Sequence, residues 1–313
     1  MIAGGFRKGP DGRSQLYYAT TEIYDATKRT FRPGPTMRVA RCGHSATPLA
    51  DGTILFVGGN NDHDLASAEI YDPTRREFQE IAPMAGTRIG FSATRLPDGR
   101  VLIAGGWRGR EATDTAEVYD PATRRFAATG KMSGPRGGHT ATLLRDGRVL
   151  LAGGGDGRGP HAASEIYDPR TGTFAPGPSL ATPRYKHAAA LLADGRVLLV
   201  GGSDARDWKG QLDSAEIFDP RTKTFSSAGK LAGTRFKLKE SMVVLPDGKV
   251  LVTGGNRLIE SFDPATGRFE EEGMIDAARH YGTATALRDG GVLIVGGYED
   301  APRVMASTWL YTR

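Results

Sequence analysis

Only one cysteine, Cys42, occurs among the 313 residues, so this chain can build neither an internal disulfide nor a cysteine-based zinc cage. Long apolar runs are missing too. None approaches the roughly 18 residues of a membrane-spanning helix. Apolar residues never recur at helical spacing, which leaves strands as the building material. The charge balance, 41 basic against 36 acidic residues, gives a net charge of +5. That favours acidic partners mildly, but with no Lys/Arg run it argues against nucleic acid. Nucleophile and phosphate motifs of the types G-x-S-x-G, G-x-x-x-x-G-K-S/T and H-E-x-x-H are absent. The Gly-rich stretch 153–159 leaves a strand for a loop rather than opening a helix, which makes it a poor phosphate cradle. Ile2 to Gly5 already read as a strand end, so no leader peptide is expected before the fold.

What the chain does contain is one pattern, written many times. HTATLLRDGRVLLAGG, residues 139–154, is a strand, an Asp-Gly turn and a second strand that stops at a double glycine. Near-copies begin at His44, Phe91, His187, Leu238 and Gly282, and MIAGG at the start is a half-copy. After each double glycine comes a loop, then a third strand of the type Ala-Glu-Ile-Tyr-Asp-Pro, a short turn, and a fourth strand carrying Phe. The third-strand aromatics Tyr24, Tyr71, Tyr119, Tyr167, Phe218 and Phe262 recur about every 48 residues.

Four antiparallel strands per repeat imply an all-β architecture, a β-propeller of four-stranded blades. The double glycine, the Glu-x-Tyr-Asp of strand three and an Arg before strand one resemble the kelch-repeat β-propeller family over the whole chain, residues 1–313 as a single domain. The resemblance departs in one place, because Phe stands where that family usually has Trp in strand four. Second and third strands occur seven times, whereas first and fourth strands occur six times. Seven blades are therefore expected, the first and last incomplete, with an N-terminal closing segment lost or replaced. The alternative is six blades, with the strand after Arg279 completing the first.

The arginines and the loops after the double glycines share one end of the blades. Function is expected there, since the Asp-Gly and Asp-Pro turns at the other end are too uniform to select a ligand. Arg41, Arg88, Arg136, Arg184, Arg235 and Arg279 offer an anion-binding ring. Each also follows a Glu (Glu22, Glu69, Glu117, Glu165, Glu216, Glu260) by 19 residues, which suits a Glu–Arg bridge from one blade to the next. One sector breaks the pattern. The strand after Arg235 reads RFKLKES, placing Lys237, Lys239 and Glu240 where small residues stand elsewhere. The flanking repeats add Arg184, Tyr185, Lys186 and His187 on one side, and Arg279, His280 and Tyr281 on the other. With Trp107, Trp208 and Tyr298 as aromatic anchors, these are the candidate ligand-binding residues. Phe6 follows a double glycine in the same way. His44, His139 and His187 hold equivalent places and read as packing.

The expected function is a non-catalytic interaction module for an acidic peptide, a protein loop or a small anionic ligand, acting as a monomer with no cofactor, metal, nucleic acid or membrane insertion. The alternative is a metal-independent enzyme, epimerase-like or cyclase-like, with Glu240 as base and His280 or Tyr281 as acid. The resemblance also extends to copper oxidases related to galactose oxidase, which implies a Cys–Tyr cross-link and further His and Tyr ligands. Cys42 is the sole thiol here, and no His pair has ligand spacing, so the propeller is read as galactose-oxidase-like without the oxidase motifs. The loop Asn60-Asn61-Asp62-His63-Asp64 offers oxygens to a cation but equally reads as a solvated turn.

Overall fold

The computed structural model describes residues 1–11, 14–299 and 303–312. Seven antiparallel blade sheets follow one another along the chain, and the fold is a seven-bladed β-propeller. Five blades are four-stranded. The first consists of Ile2–Ala3, Thr21–Asp25 and Thr30–Pro33, which are second, third and fourth strands of the repeat. The seventh consists of Thr283–Ala286, Val292–Val295 and Thr308–Tyr311, which are first, second and third strands. The strand after Arg279 thus pairs with Val292–Val295, and the six-blade alternative is excluded. Among the described residues the single helical turn is a 3-10 turn at Asp207–Lys209, and no helix is long and apolar enough to cross a membrane.

The chain groups into two compact units, residues 1–137 with 168–174, and residues 138–167 with 175–313. Within each, second strands are buried on both faces, because alternate side chains point to opposite sides of the sheet. In the first unit Leu55 and Val57 of blade two pack with Val101 and Ile103 of blade three, while Phe56 turns the other way, toward Ala3 of blade one. In the second unit Val197 and Leu199 face Leu150 of blade four, and Leu198 and Val200 face Val250 and Val252 of blade six. Each fully buried aliphatic contributes about 1.5–3 kcal/mol.

The fourth-strand Phe lies directly across from the third-strand aromatic. Tyr71 pairs with Phe78 and Tyr119 with Phe126, each at 5.0 Å between ring centroids. Cross-strand aromatic contact of this kind replaces the Trp expected from the family resemblance. The Asp-Gly hairpins turn at glycines with positive φ, as at Gly147 (φ 86°), which is the conformation glycine adopts without a Cβ clash.

First strands of neighbouring blades touch within each unit, Ser45–Pro48 against Ser92–Arg95, and Thr140–Leu143, Ala188–Leu191, Met242–Val244 and Thr283–Ala286 in succession. After four of the arginines the next residue bridges the residue after the double glycine, Cys42 with Asn60, Ile89 with Trp107, Tyr185 with Ser203 and His280 with Tyr298. The Arg-bearing ends and the loops between strands two and three therefore share a side of each blade, as the strand directions required.

Candidate functional site

The repeated arginines are structural latches. Arg41, Arg88, Arg184, Arg235 and Arg279 are all 0 % exposed. Arg88 shows the pattern: its guanidinium donates to the carbonyls of Gly105 and Thr115, the hydroxyl of Thr115 and the carboxylate of Glu117, all within 2.9 Å. Glu117 also accepts the N–H of Ala85 in the linker, so the blade-to-blade crossing is tied down at both ends. The Arg88 carbonyl in turn accepts from Gly59 N in the preceding blade. A Cβ on Gly58 would stand 2.8 Å from that same carbonyl, which explains why glycine is needed there.

The Glu partner differs from the expected one. Arg41 pairs with Glu69, Arg88 with Glu117, Arg184 with Glu216 and Arg235 with Glu260, each the downstream Glu of the Arg's own blade, 25 to 32 residues later, rather than the Glu 19 residues upstream. The last blade has Trp309 in the third-strand place held elsewhere by Glu, and Asp276 supplies the carboxylate instead. Asp276 accepts from Arg279 (3.0 Å), Trp309 Nε1 (3.0 Å) and Ser307 Oγ (3.0 Å). Arg184, Arg235 and Arg279, expected among the ligand contacts, have their guanidinium groups enclosed and engaged inside the blades, so they hold the site in place from behind.

The remaining candidates in the second unit do converge. Two residues after the Arg, the backbone turns with positive φ at Gly43, Gly90 and Gly138 (61°, 64°, 67°), and equally at Lys186, Lys237 and Tyr281 (56°, 58°, 56°). A side chain in this left-handed region costs about 1–2 kcal/mol that glycine avoids. Three consecutive blades hold a large polar side chain there, whereas the three before them have glycine. Backbone bonds join these turns in a row, Lys186 N to Gly138 O, Leu238 N to Lys186 O, and Tyr281 N to Lys237 O.

Around this row Lys237 is 6 % exposed, with its ammonium 3.7 Å from the Trp208 ring centroid, 4.7 Å from Phe236 and 5.3 Å from Tyr298, and it donates to Tyr298 Oη at 2.9 Å. The three rings form a cation–π cage that holds the Lys237 side chain in place. His280 is 0 % exposed, walled by Trp208, Phe236 and Tyr298. Lys186 is half-buried, donates to Asp207 Oδ1 at 2.7 Å, and lies 4.5 Å from the Tyr185 ring. Tyr185 Oη donates to the same Asp207 oxygen at 2.7 Å. Burial would raise the Asp207 carboxyl, but the hydrogen bonds from Lys186 and Tyr185 and the charges of Lys186 and Lys237 outweigh it and hold the group below its usual range. Tyr298 is pushed up to about 12, chiefly by desolvation with Asp207 adding to it, and Tyr185 and Tyr281 are raised for the same leading reason. The three phenols are therefore neutral hydrogen-bonding groups at physiological pH. Tyr281, 43 % exposed, and Trp208, 40 % exposed, form the accessible surface.

Lys239 and Glu240 are placed differently from the expectation. Arg235 to Asp247 spans twelve residues where the other blades need ten, and the two extra residues form a turn before the first strand starts at Met242. Ser241 N closes that turn on Leu238 O, with Glu240 at φ 62°. Lys239 is half-buried in the turn, and Glu240 stands exposed. In the first unit Trp107 is half-buried with its indole over Gly137, where a Cβ would stand 2.0 Å from Nε1, and Phe6 stacks near Tyr17. The Asn60–Asp64 loop closes on itself, through Asn60 Nδ2 to Asp64 and Asp62 N to Asn60. His187 is buried against the Thr140 hydroxyl at 2.9 Å, and burial holds its imidazole well below the usual range, as a packing residue requires.

Two residues of the cluster escape the sequence reading. Phe236 and Asp207 belong to no repeat signature, although the Arg-x-Gly triplet of the earlier blades, broken to Arg-Tyr-Lys, Arg-Phe-Lys and Arg-His-Tyr, marks the row they serve.

Comparison with known proteins agrees with the architecture. The Kelch motif model matches residues 92–133 and 184–232. No curated protein matches the chain in sequence. Among solved structures, a fungal alcohol oxidase with catalytic diversity among the AA5 family, in complex with copper, superposes with a TM-score of 0.73 at 19 % identity, covering 95 % of this chain and 70 % of that one. YjhT superposes with a TM-score of 0.69 at 12 % identity, covering 88 % and 96 %. The fold is that of a seven-bladed β-propeller, and two stretches of the chain match the Kelch motif. At 19 % identity the likeness to that oxidase is one of fold alone.

Proposed function

We propose that this chain is a non-catalytic binding module that takes an anionic group, from an acidic peptide, a protein loop or a small ligand, at the row formed by Lys186, Lys237 and Tyr281. The observation that carries this reading is the exchange of glycine for Lys, Lys and Tyr at three successive left-handed positions. Backbone strain kept at one locus needs a compensating use, and functional sites are where it collects. The chemistry fits an anion: the Lys186 ammonium and the Tyr185 phenol donate to one carboxylate, and the Lys237 charge acts on it as well. Arg184, Arg235 and Arg279 fix the backbone beneath, and Trp208 and Tyr298 supply the aromatic walls. The catalytic alternative gains no comparable support, since Glu240 lies exposed in the inserted turn while His280 is enclosed by rings.

Calorimetric titration with succinate and with an Asp/Glu-rich peptide tests the reading and separates a small anion from a peptide source. Lys186→Gly should weaken whichever probe binds by at least about tenfold, since a charge-assisted hydrogen bond contributes about 1.5–3 kcal/mol. Unchanged affinity in a folded variant would remove the row from consideration.

A further inference from the structure

We infer that Asp207 is a built-in occupant of this site, and that the external ligand presents a carboxylate that takes its place. The inference rests on the binding reading above and goes one step further, to the ligand's chemistry and the way the site is closed. Asp207 belongs to the loop between strands two and three of blade five, and one of its oxygens takes both the Lys186 ammonium and the Tyr185 hydroxyl at 2.7 Å. The next residue, Trp208, covers the Lys237 ammonium at 3.7 Å. One short turn therefore supplies the counter-ion for the first lysine and the aromatic cover for the second.

That turn is held by its own short-range bonds and by the Trp208 ring against Phe236 and His280. None of its three residues, Asp207 to Lys209, is buried, and Asp207 itself sits at φ 50°, a left-handed conformation that costs a non-glycine residue about 1–2 kcal/mol. Asp204 N bonds Gly210 O across its ends, Asp207 N bonds Asp204 O and Ser203 Oγ bonds Asp207 O, so the Asp207 carboxylate leaves by turning about its own side chain while the backbone stays in place. A carboxylate arriving from outside would find the Lys186 and Tyr185 donors already aimed at one point, and would displace a group of its own kind.

The prediction is competition. If the internal carboxylate occupies the site most of the time, the apparent dissociation constant is raised by the inverse of the open fraction, and removing the occupant tightens binding. Succinate and sulfate are titrated at constant ionic strength into the wild-type protein, Asp207→Asn and Asp207→Gly, the last because glycine accepts φ 50° without strain. At least about tenfold tighter succinate binding in either variant, without an equal gain for sulfate, supports the inference. Succinate binding to the wild type with no gain in either folded variant overturns it and leaves the binding reading intact. An equal gain for sulfate overturns the carboxylate assignment. Failure of all three proteins to bind either probe overturns both readings.

Discussion

Replacing Lys186 should reverse the usual order of alanine and glycine. In ordinary strand or helix positions glycine is about 0.5–1 kcal/mol worse than alanine, because the unfolded chain gains freedom. At Lys186, with φ 56°, alanine keeps the left-handed clash and glycine removes it, a difference of about 1–2 kcal/mol. Subtracting the entropic disadvantage leaves glycine ahead by up to about 1.5 kcal/mol. Both substitutions also lose the Lys186–Asp207 pair, whose side chains are 23 % and 34 % exposed, worth about 0.2–1 kcal/mol at such a site. Lys186→Gly should therefore match the wild type to within about 1 kcal/mol, and Lys186→Ala should fall below Lys186→Gly. Urea or guanidinium midpoints at a shared slope resolve differences of this size. If Lys186→Ala is as stable as Lys186→Gly or more so, the position is not strained, and the argument that a functional demand keeps lysine there collapses.

Other consequences can be checked separately. Arg88→Ala leaves Glu117 charged inside the protein and should cost about 3–5 kcal/mol in denaturant melts; a loss under about 1 kcal/mol would contradict the latch. Asp276→Ala should cost about 1–3 kcal/mol by stranding Arg279, and adding Trp309→Glu, which restores the carboxylate of the other blades, should recover part of that loss in the same melts. Burial pushes the Cys42 thiol up to about 11, so alkylation by iodoacetamide should be slow at pH 8 and should rise until about that pH; a plateau near pH 9 would show an open thiol. Asp207 faces Lys186, Tyr185 and Lys237, and its folded value lies below its unfolded one. Its contribution is thus present above pH about 3.9 and lost as the pH falls through the lower folded value, so wild type minus Asp207→Asn stability should shrink on acidification below pH about 4. A difference that grows instead would reverse the assigned sign.

The architecture was legible because each repeat states its own strands: the Asp-Gly turn, the double glycine and the Tyr–Phe pair recur at one period, and strand counting alone distinguished seven blades from six. Pairing of the arginines with glutamates was legible as chemistry but not as topology. A constant 19-residue interval holds between any two fixed places joined by a strand and linker of uniform length. The true partners lie across the loop between strands two and three, whose varying length spreads their separation from 25 to 32 residues. The odd sector was visible in Lys237, yet its physical meaning lay in backbone conformation, which residue types alone express only through the lost Arg-x-Gly. Lys239 and Glu240 looked like strand residues until the two-residue insertion was counted. Asp207 lies in the loop between strands two and three, whose length and sequence differ from blade to blade, so no repeat pattern could point to it.

The most direct test of the account is a crystal structure of the protein grown with an excess of succinate. It should show a carboxylate between Lys186 Nζ and Tyr185 Oη, with Tyr281 and Tyr298 alongside. Succinate seated instead at the glycine turns of the earlier blades, with Lys186 still on Asp207 at full occupancy of the ligand, would contradict it.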